Sequence, residues 1–227
     1  MLNDFISLLF PQICAACGKP LYKTENAVCT FCRYHLPRTG YHLERDNPVS
    51  RLFWGKVDVF AATAYYFFRK GDKVQRLIHQ LKYNGQQQVG ITVGRFMGSE
   101  LKDNPFFQSI DCLIPVPLHP AKKRRRGYNQ SDCIGMGLAG EMGKPCYTDN
   151  MYRAVANVSQ TRKSQWERFR NVEGIFKLKE PALLRNKHIL IVDDVVTTGS
   201  TLEACANTLQ HLPSTKVSIA AIACTMQ

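Results

Sequence analysis

No apolar run in the chain approaches the length of a membrane span, which excludes a transmembrane helix. No tract repeats and none is low in complexity, so solenoid and disordered-linker architectures are excluded as well. Acidic residues are in short supply: 18 Asp plus Glu face 30 Lys plus Arg, a net charge of +12. Such a balance favours phosphorylated or nucleic-acid partners, through steering and counterion release. A cleavable signal sequence is not expected either. The apolar stretch Phe5-Ile6-Ser7-Leu8-Leu9-Phe10 is short, follows Asp4 rather than a basic run, and ends at Pro11. Its amphipathic pattern from Leu2 to Phe10 suits packing on a neighbouring part of the chain. What remains is a 227-residue chain, 44% hydrophobic and 10% aromatic, long enough for one α/β core plus a small module.

Nine cysteines are present, an odd number, and their placement argues against a disulfide-stapled secreted fold. Cys112, Cys133, Cys146, Cys205 and Cys224 stand singly in patterned segments, where buried free thiols are common. A reducing cytoplasm is the expected compartment. The other four form two knuckles, Cys14-Ala15-Ala16-Cys17 and Cys29-Thr30-Phe31-Cys32, separated by eleven residues. Each knuckle sets two thiolates on one side of a tight turn, and two facing knuckles complete a tetrahedral set of four thiolates for structural zinc. His35 and His42 are alternative ligands, and unliganded or redox-active thiols are the other reading. Residues 1–45 are too few for a core of their own, so metal binding would supply their folding energy. Residues 40–49, with Gly40, Arg45, Asp46, Asn47 and Pro48, read as a linker to a domain over 50–227.

Within that domain, residues 57–68 read as one or two strands. Residues 72–83 carry Val74, Leu77, Ile78 and Leu81 at i, i+3, i+4 and i+7, the stripe of an amphipathic helix stopped by Asn84-Gly85. Further helices are expected over 89–101 and 128–142; Gly135, Gly137 and Gly140 in the second point to close packing. Strands are expected at 110–116, 175–178, 188–193 and 217–224. This alternation indicates a mainly parallel sheet with helices on both faces, whose ligands gather at the carboxyl ends of the strands.

The densest chemistry lies in Ile189-Leu190-Ile191-Val192-Asp193-Asp194-Val195-Val196-Thr197-Thr198-Gly199-Ser200-Thr201. A buried strand ends at two adjacent carboxylates, then enters a hydroxyl-rich turn around one glycine and a helix. Carboxylates suit ribose hydroxyls or hydrated Mg²⁺, and N–H groups at a helix start suit a phosphate. The combination is a site for a ribose 5-phosphate.

Two other segments carry charge. Ile114-Pro115-Val116-Pro117-Leu118-His119-Pro120 leads from a strand into a loop bearing Lys122, Lys123, Arg124, Arg125 and Arg126, then Gly127-Tyr128-Asn129-Gln130. It reads as a pyrophosphate-binding loop, with a solvated loop or a general nucleic-acid patch as alternatives. Residues 159–176, with Arg162, Lys163 and Arg168, read as a lid over a substrate or as an exposed helix with Trp166 and Phe169 turned inward.

The thirteen-residue stretch from Ile189 to Thr201 resembles the phosphoribosyl-pyrophosphate (PRPP) fingerprint of type I phosphoribosyltransferases. Both CxxC knuckles, Leu81-Lys82-Tyr83-Asn84-Gly85, the 114–130 and 159–176 segments and that fingerprint together resemble the ComF/GntX family over nearly the whole chain. The resemblance implies a four-cysteine zinc module joined to a phosphoribosyltransferase-like domain. Asp193 and Asp194 would hold the ribose hydroxyls and help position Mg²⁺. Thr197, Thr198, Gly199, Ser200 and Thr201 would cradle the 5-phosphate. Leu118, His119 and the cations Lys122 to Arg126 would meet the pyrophosphate, while Arg162, Lys163 and Arg168 cover the site. It also implies a role in competence and the use of extracellular DNA, with single-stranded DNA and uptake proteins as partners, and gluconate use in some members. A non-catalytic nucleic-acid adaptor, with PRPP regulatory or vestigial, is the other class of function.

Overall fold

The computed structural model describes residues 11–154 and 175–225. The 2–10 stretch and most of the expected lid, including Arg162, Lys163 and Arg168, lie outside them. In chain order the elements are α1 (Thr30–His35), α2 (Pro48–Arg51), β1 (Ala61–Phe68), α3 (Lys73–Tyr83), α4 (Gln87–Leu101), β2 (Cys112–Pro115), α5 (Pro120–Arg126), α6 (Gln130–Met142), β3 (Met151–Arg153), β4 (Phe176–Leu178), β5 (His188–Val196), α7 (Ser200–Gln210) and β6 (Lys216–Thr225). Strands β1, β6, β5 and β2 form, in that order, a wholly parallel sheet; β3 and β4 pair antiparallel beside it.

Strand β5 runs through Ile189, Leu190, Ile191 and Val192, none of which reaches solvent. Their alternate side chains enter two cores. Leu190 and Val192 join the core that α3, α4 and α6 help to form on one face, and Ile189 and Ile191 join the one that includes α7 residues and Phe53 on the other. Burial on both faces is what a continuous apolar strand in a parallel sheet requires. Helix α3 buries Val74, Leu77, Ile78 and Leu81, and Asp72 caps it by accepting the Gln75 N–H at 2.8 Å.

Helices α4 and α6 touch through glycine. A Cβ on Gly94 would lie 2.3 Å from the Ile134 carbonyl oxygen, and one on Gly137 would lie 2.2 Å from that of Ile91. Gly140, expected in the same contact, has nothing within 4 Å because it faces away from α4. Opposite effects follow. Gly94→Ala is expected to lose about 3 kcal/mol, because backbone must move to admit the methyl. Gly140→Ala is expected to gain up to about 1 kcal/mol from helix propensity. Urea unfolding of the two variants checks the pair.

Two sequence expectations change, and a third narrows. Residues 57–68 yield one strand, beginning at Ala61. The basic run lies on helix α5 rather than in a loop. Pro120 suits a first turn, His119 accepts the Ala121 N–H, and Gly127 at φ +81° ends the helix. Lys and Arg are good helix formers and stand favourably in a last turn. The 40–49 segment, expected as a linker, is fastened instead. Asn47 is buried, caps α2, and donates from Nδ2 to the carbonyls of Tyr41, Glu44 and Ala62.

The cysteine-bearing segment packs on the outer edge of the sheet. Phe67 N–H donates to Pro37 O at 2.9 Å and Thr39 N–H to Tyr65 O at 3.1 Å, so residues 37–39 cover the open edge of β1. Arg38 pairs with Glu100 of α4, which also accepts the Tyr65 hydroxyl.

At the opposite end of the sheet from the fingerprint acids, His188 is buried between the hydroxyls of Ser109 at 2.9 Å and Ser218 at 2.8 Å. Desolvation, helped by Lys216, lowers its pKa to about 4. The unfolded chain therefore takes up this proton at a higher pH than the folded one. Stability is complete above about pH 6.5 and declines as the pH falls towards 4, by roughly 1.4 kcal/mol per unit. Denaturant titrations of wild type and His188→Gln between pH 4 and 7.5 check this; the variant should lose that part of the slope.

Candidate functional site

The site forms where the parallel strands end. Asp193 and Asp194 occupy the last part of β5, and the chain turns through Thr197, Thr198 and Gly199 into α7. Gly199 sits at φ +79°, and a Cβ there would lie 3.2 Å from the buried ring of Phe53. The positive φ favours glycine, and the ring leaves little room for a side chain. The Thr198 and Ser200 hydroxyls are 3.1 Å apart, and the side chains of Thr197, Thr198, Ser200 and Thr201 are exposed. The turn presents hydroxyls and the unpaired N–H groups of an eleven-residue helix to the same space.

Asp193 Oδ1 accepts from the Ser131 hydroxyl at 3.1 Å and from the Asp194 N–H at 2.8 Å. Burial raises this carboxyl well above the usual range and the Asp194 charge raises it further; the two hydrogen bonds and Lys82 offset part of the rise. Asp194 Oδ1 pairs with Lys82 Nζ at 2.9 Å. The segment around Lys82 ties the site together. The Tyr128 hydroxyl donates to Leu81 O, and the Arg126 guanidinium lies 5.2 Å from the centre of the Tyr83 ring.

The basic helix divides its cations. Lys123 and Arg124, with Leu118, line a cleft of about 630 Å³ shared with Asn129, Arg153 and Lys179. Arg126 turns to Tyr83 and to Gln130 Oε1 at 2.7 Å. Lys122 and Arg125 are exposed and do not line that cleft, and His119 Nδ1 is engaged as a helix cap. Lys82, Ser131 and Arg153 received no role from the sequence. Lys82 falls within Leu81-Lys82-Tyr83-Asn84-Gly85, and that motif is its signal in the sequence.

The four knuckle sulfurs, of Cys14, Cys17, Cys29 and Cys32, all lie within 4.8 Å of one another, with Cys17 and Cys29 at 3.8 Å. That spacing fits four thiolates about 2.3 Å from one ion. Backbone N–H groups of Cys29 and Cys32 donate to the sulfurs of Cys14 and Cys29 at 3.3 and 3.4 Å, which favours thiolates. The cluster can hold a metal ion.

Residues 148–227 match the family model for the phosphoribosyl transferase domain. The DNA utilization protein YhgH of Escherichia coli K12 is 30% identical over 205 residues, covering 87% of this chain and 83% of that protein. Competence protein F of Haemophilus influenzae is 28% identical over 215 residues, covering 88% and 91%. The chain belongs to the ComF/GntX family. Among solved structures, a glutamine PRPP amidotransferase from B. subtilis is similar with a TM-score of 0.45 and 16% identity, over 63% of this chain; the chain spans 30% of that structure. Membership accords with the parallel sheet and its flanking helices. No helix among the described residues is long and apolar enough to cross a membrane.

Proposed function

We propose that this ComF/GntX protein binds PRPP with Mg²⁺ at the end of β5 and serves the cytoplasmic use of DNA or its nucleotide products. The observation that carries the reading is the pair Asp193–Asp194 running without a break into the Gly199 turn and the start of α7. The carboxylates suit the ribose hydroxyls, and the hydroxyl turn suits the 5-phosphate. Lys123 and Arg124 suit the pyrophosphate, a multiply charged group that gains most from cations as it leaves. Mg²⁺ would neutralise phosphate charge beside the acids. In transfer, an acceptor nitrogen bonds to C1 of the ribose, the C1–O bond to pyrophosphate breaks, and pyrophosphate departs with the electron pair. The nitrogen's proton passes to solvent. Arg162, Lys163 and Arg168 are proposed to cover the site during that step. The family-model match begins at residue 148; we assign the phosphoribosyltransferase-like domain to 50–227 and a zinc-holding module to 1–45.

An adaptor role is favoured by a separate observation. Phe31, Tyr34 and Tyr22 of the module are exposed, with Arg33 5.5 Å from the centre of the Tyr34 ring and Lys73 5.6 Å from that of Phe31. Aromatic faces among cations suit the stacked bases of single-stranded DNA. A pyrophosphate-release assay with purine and pyrimidine bases decides between these roles. Release supports the transferase. PRPP binding without release, together with DNA affinity that falls steeply with salt, supports the adaptor.

A further inference from the structure

A separate cleft lies towards the end of the sheet opposite Asp193 and Asp194. Phe60, just before β1, and Gln210, the last residue of α7, both line it. Its volume is about 740 Å³, within the range of small-ligand sites. It shares no lining residue with the cationic cleft and none with the Asp193–Thr201 segment.

One wall is an indole held out in water. After α2 the chain turns tightly around Gly55 at φ +70°, with the Lys56 and Val57 N–H groups donating to Phe53 O at 3.0 and 3.1 Å. That turn leaves Trp54 61% exposed. Asp46 grips Arg51 through two hydrogen bonds, at 2.7 and 3.1 Å, and the Arg51 guanidinium lies 5.7 Å from the centre of the Trp54 ring. A ring so placed offers a large flat area and has little freedom left to lose on binding.

The other wall carries charge. Arg45 Nε donates to Phe60 O at 2.7 Å, and its guanidinium stands 4.5 Å from the centre of the Phe60 ring. Lys216 Nζ is 4.0 Å from the same centre. Arg45, Lys56 and Lys216 pair with no carboxylate among the described residues, whereas Asp46 is neutralised by Arg51. Asp58 is the one unpaired acid lining the cleft. Each part of a nucleotide finds its chemistry here. Flat rings suit a base, a carboxylate suits ribose hydroxyls, and unpaired cations suit a phosphate. An acidic peptide would set like charge against Asp58, and a bare base would leave the cations unused.

We infer that this cleft is a second ligand site, taking a nucleoside monophosphate with its base against Trp54 and its phosphate at Arg45 and Lys56. The site does not depend on the PRPP reading. Calorimetry on the full-length protein would titrate the monophosphates of adenosine, guanosine, cytidine and uridine, and then the four nucleosides. At least one monophosphate is expected to bind, about tenfold or more tighter than its nucleoside. Trp54→Ala should weaken it about tenfold through lost stacking, and Arg45→Gln with Lys56→Gln by a similar factor. Lys56→Gln alone should show a smaller loss in the same direction, which guards against a folding defect in the double variant.

A nucleotide also carries a ribose phosphate that the end of β5 could hold, so the titration is repeated in Asp193→Asn/Asp194→Asn. Binding should persist there with the same response to Trp54→Ala. Failure of all four monophosphates to bind overturns the inference, as does equal affinity for nucleoside and monophosphate. Binding lost in the aspartate variant and unchanged by the cleft variants overturns it too.

Discussion

Removing the metal from the four-cysteine cluster is expected to destabilise the whole protein rather than the module alone. Cys14, Cys29 and Cys32 belong to the same buried cluster as Tyr65 and Tyr66 of β1 and Val93 and Met97 of α4. Residues 37–39, which follow the second knuckle, cover the edge of β1. Four thiolates without a cation would repel one another in a largely buried setting, and if protonated they would no longer close the two turns. Structural zinc sites release folding free energy outright. A loss on the order of 5 kcal/mol is expected on treatment with a strong chelator, with a fall in Tm of roughly 10–20 °C. Cys14→Ser with Cys17→Ser should show the same loss without chelator. Purified protein should carry one zinc per chain. A metal-free protein with unchanged Tm would contradict this account of the module.

The second large effect concerns Asp193 and has two signs. Asp193→Asn keeps the shape of the side chain but removes a charge that burial and the neighbouring Asp194 both disfavour. Its Oδ1 can still accept from Ser131 and from the Asp194 N–H, and the Lys82–Asp194 pair is untouched. The variant should therefore be as stable as wild type, or more so. Its affinity for PRPP with Mg²⁺ should fall by about tenfold to a hundredfold, the scale of one charge-assisted hydrogen bond. Losing binding while gaining stability is the mark of a charge retained for its ligand. Thermal melts and calorimetry on the same preparation check it. A less stable variant with unchanged affinity would make Asp193 a structural residue.

Much of the fold is legible in the sequence, and so is the place of Asp193 and Asp194 near the end of β5. The Ile189–Val192 run is apolar on both faces, so only a strand inside a covered sheet accommodates it. The 3.6-residue stripe of α3 and the paired CxxC knuckles are similarly local signals, each complete within its own segment. What the sequence hides depends on partners distant along the chain. The covering of the β1 edge by residues 37–39 leaves no pattern in either segment. Helix α5 reads as a loop because its charge run lacks an apolar stripe; the Pro120 start and Gly127 stop carry the information instead. Gly135, Gly137 and Gly140 look alike in sequence. Only the fold shows that the first meets Pro115 of β2, the second meets α4 and the third meets neither. The Lys82–Asp194 pair joins residues more than a hundred positions apart, which no local pattern reports.

The most direct test of the central claim is a calorimetric titration of PRPP with Mg²⁺ into the full-length protein, wild type beside Asp193→Asn/Asp194→Asn. The account predicts one-to-one binding to wild type, weakened at least about a hundredfold in the double variant, on the scale of two charge-assisted hydrogen bonds. Absence of binding to wild type, or equal affinity in the two proteins, would contradict it.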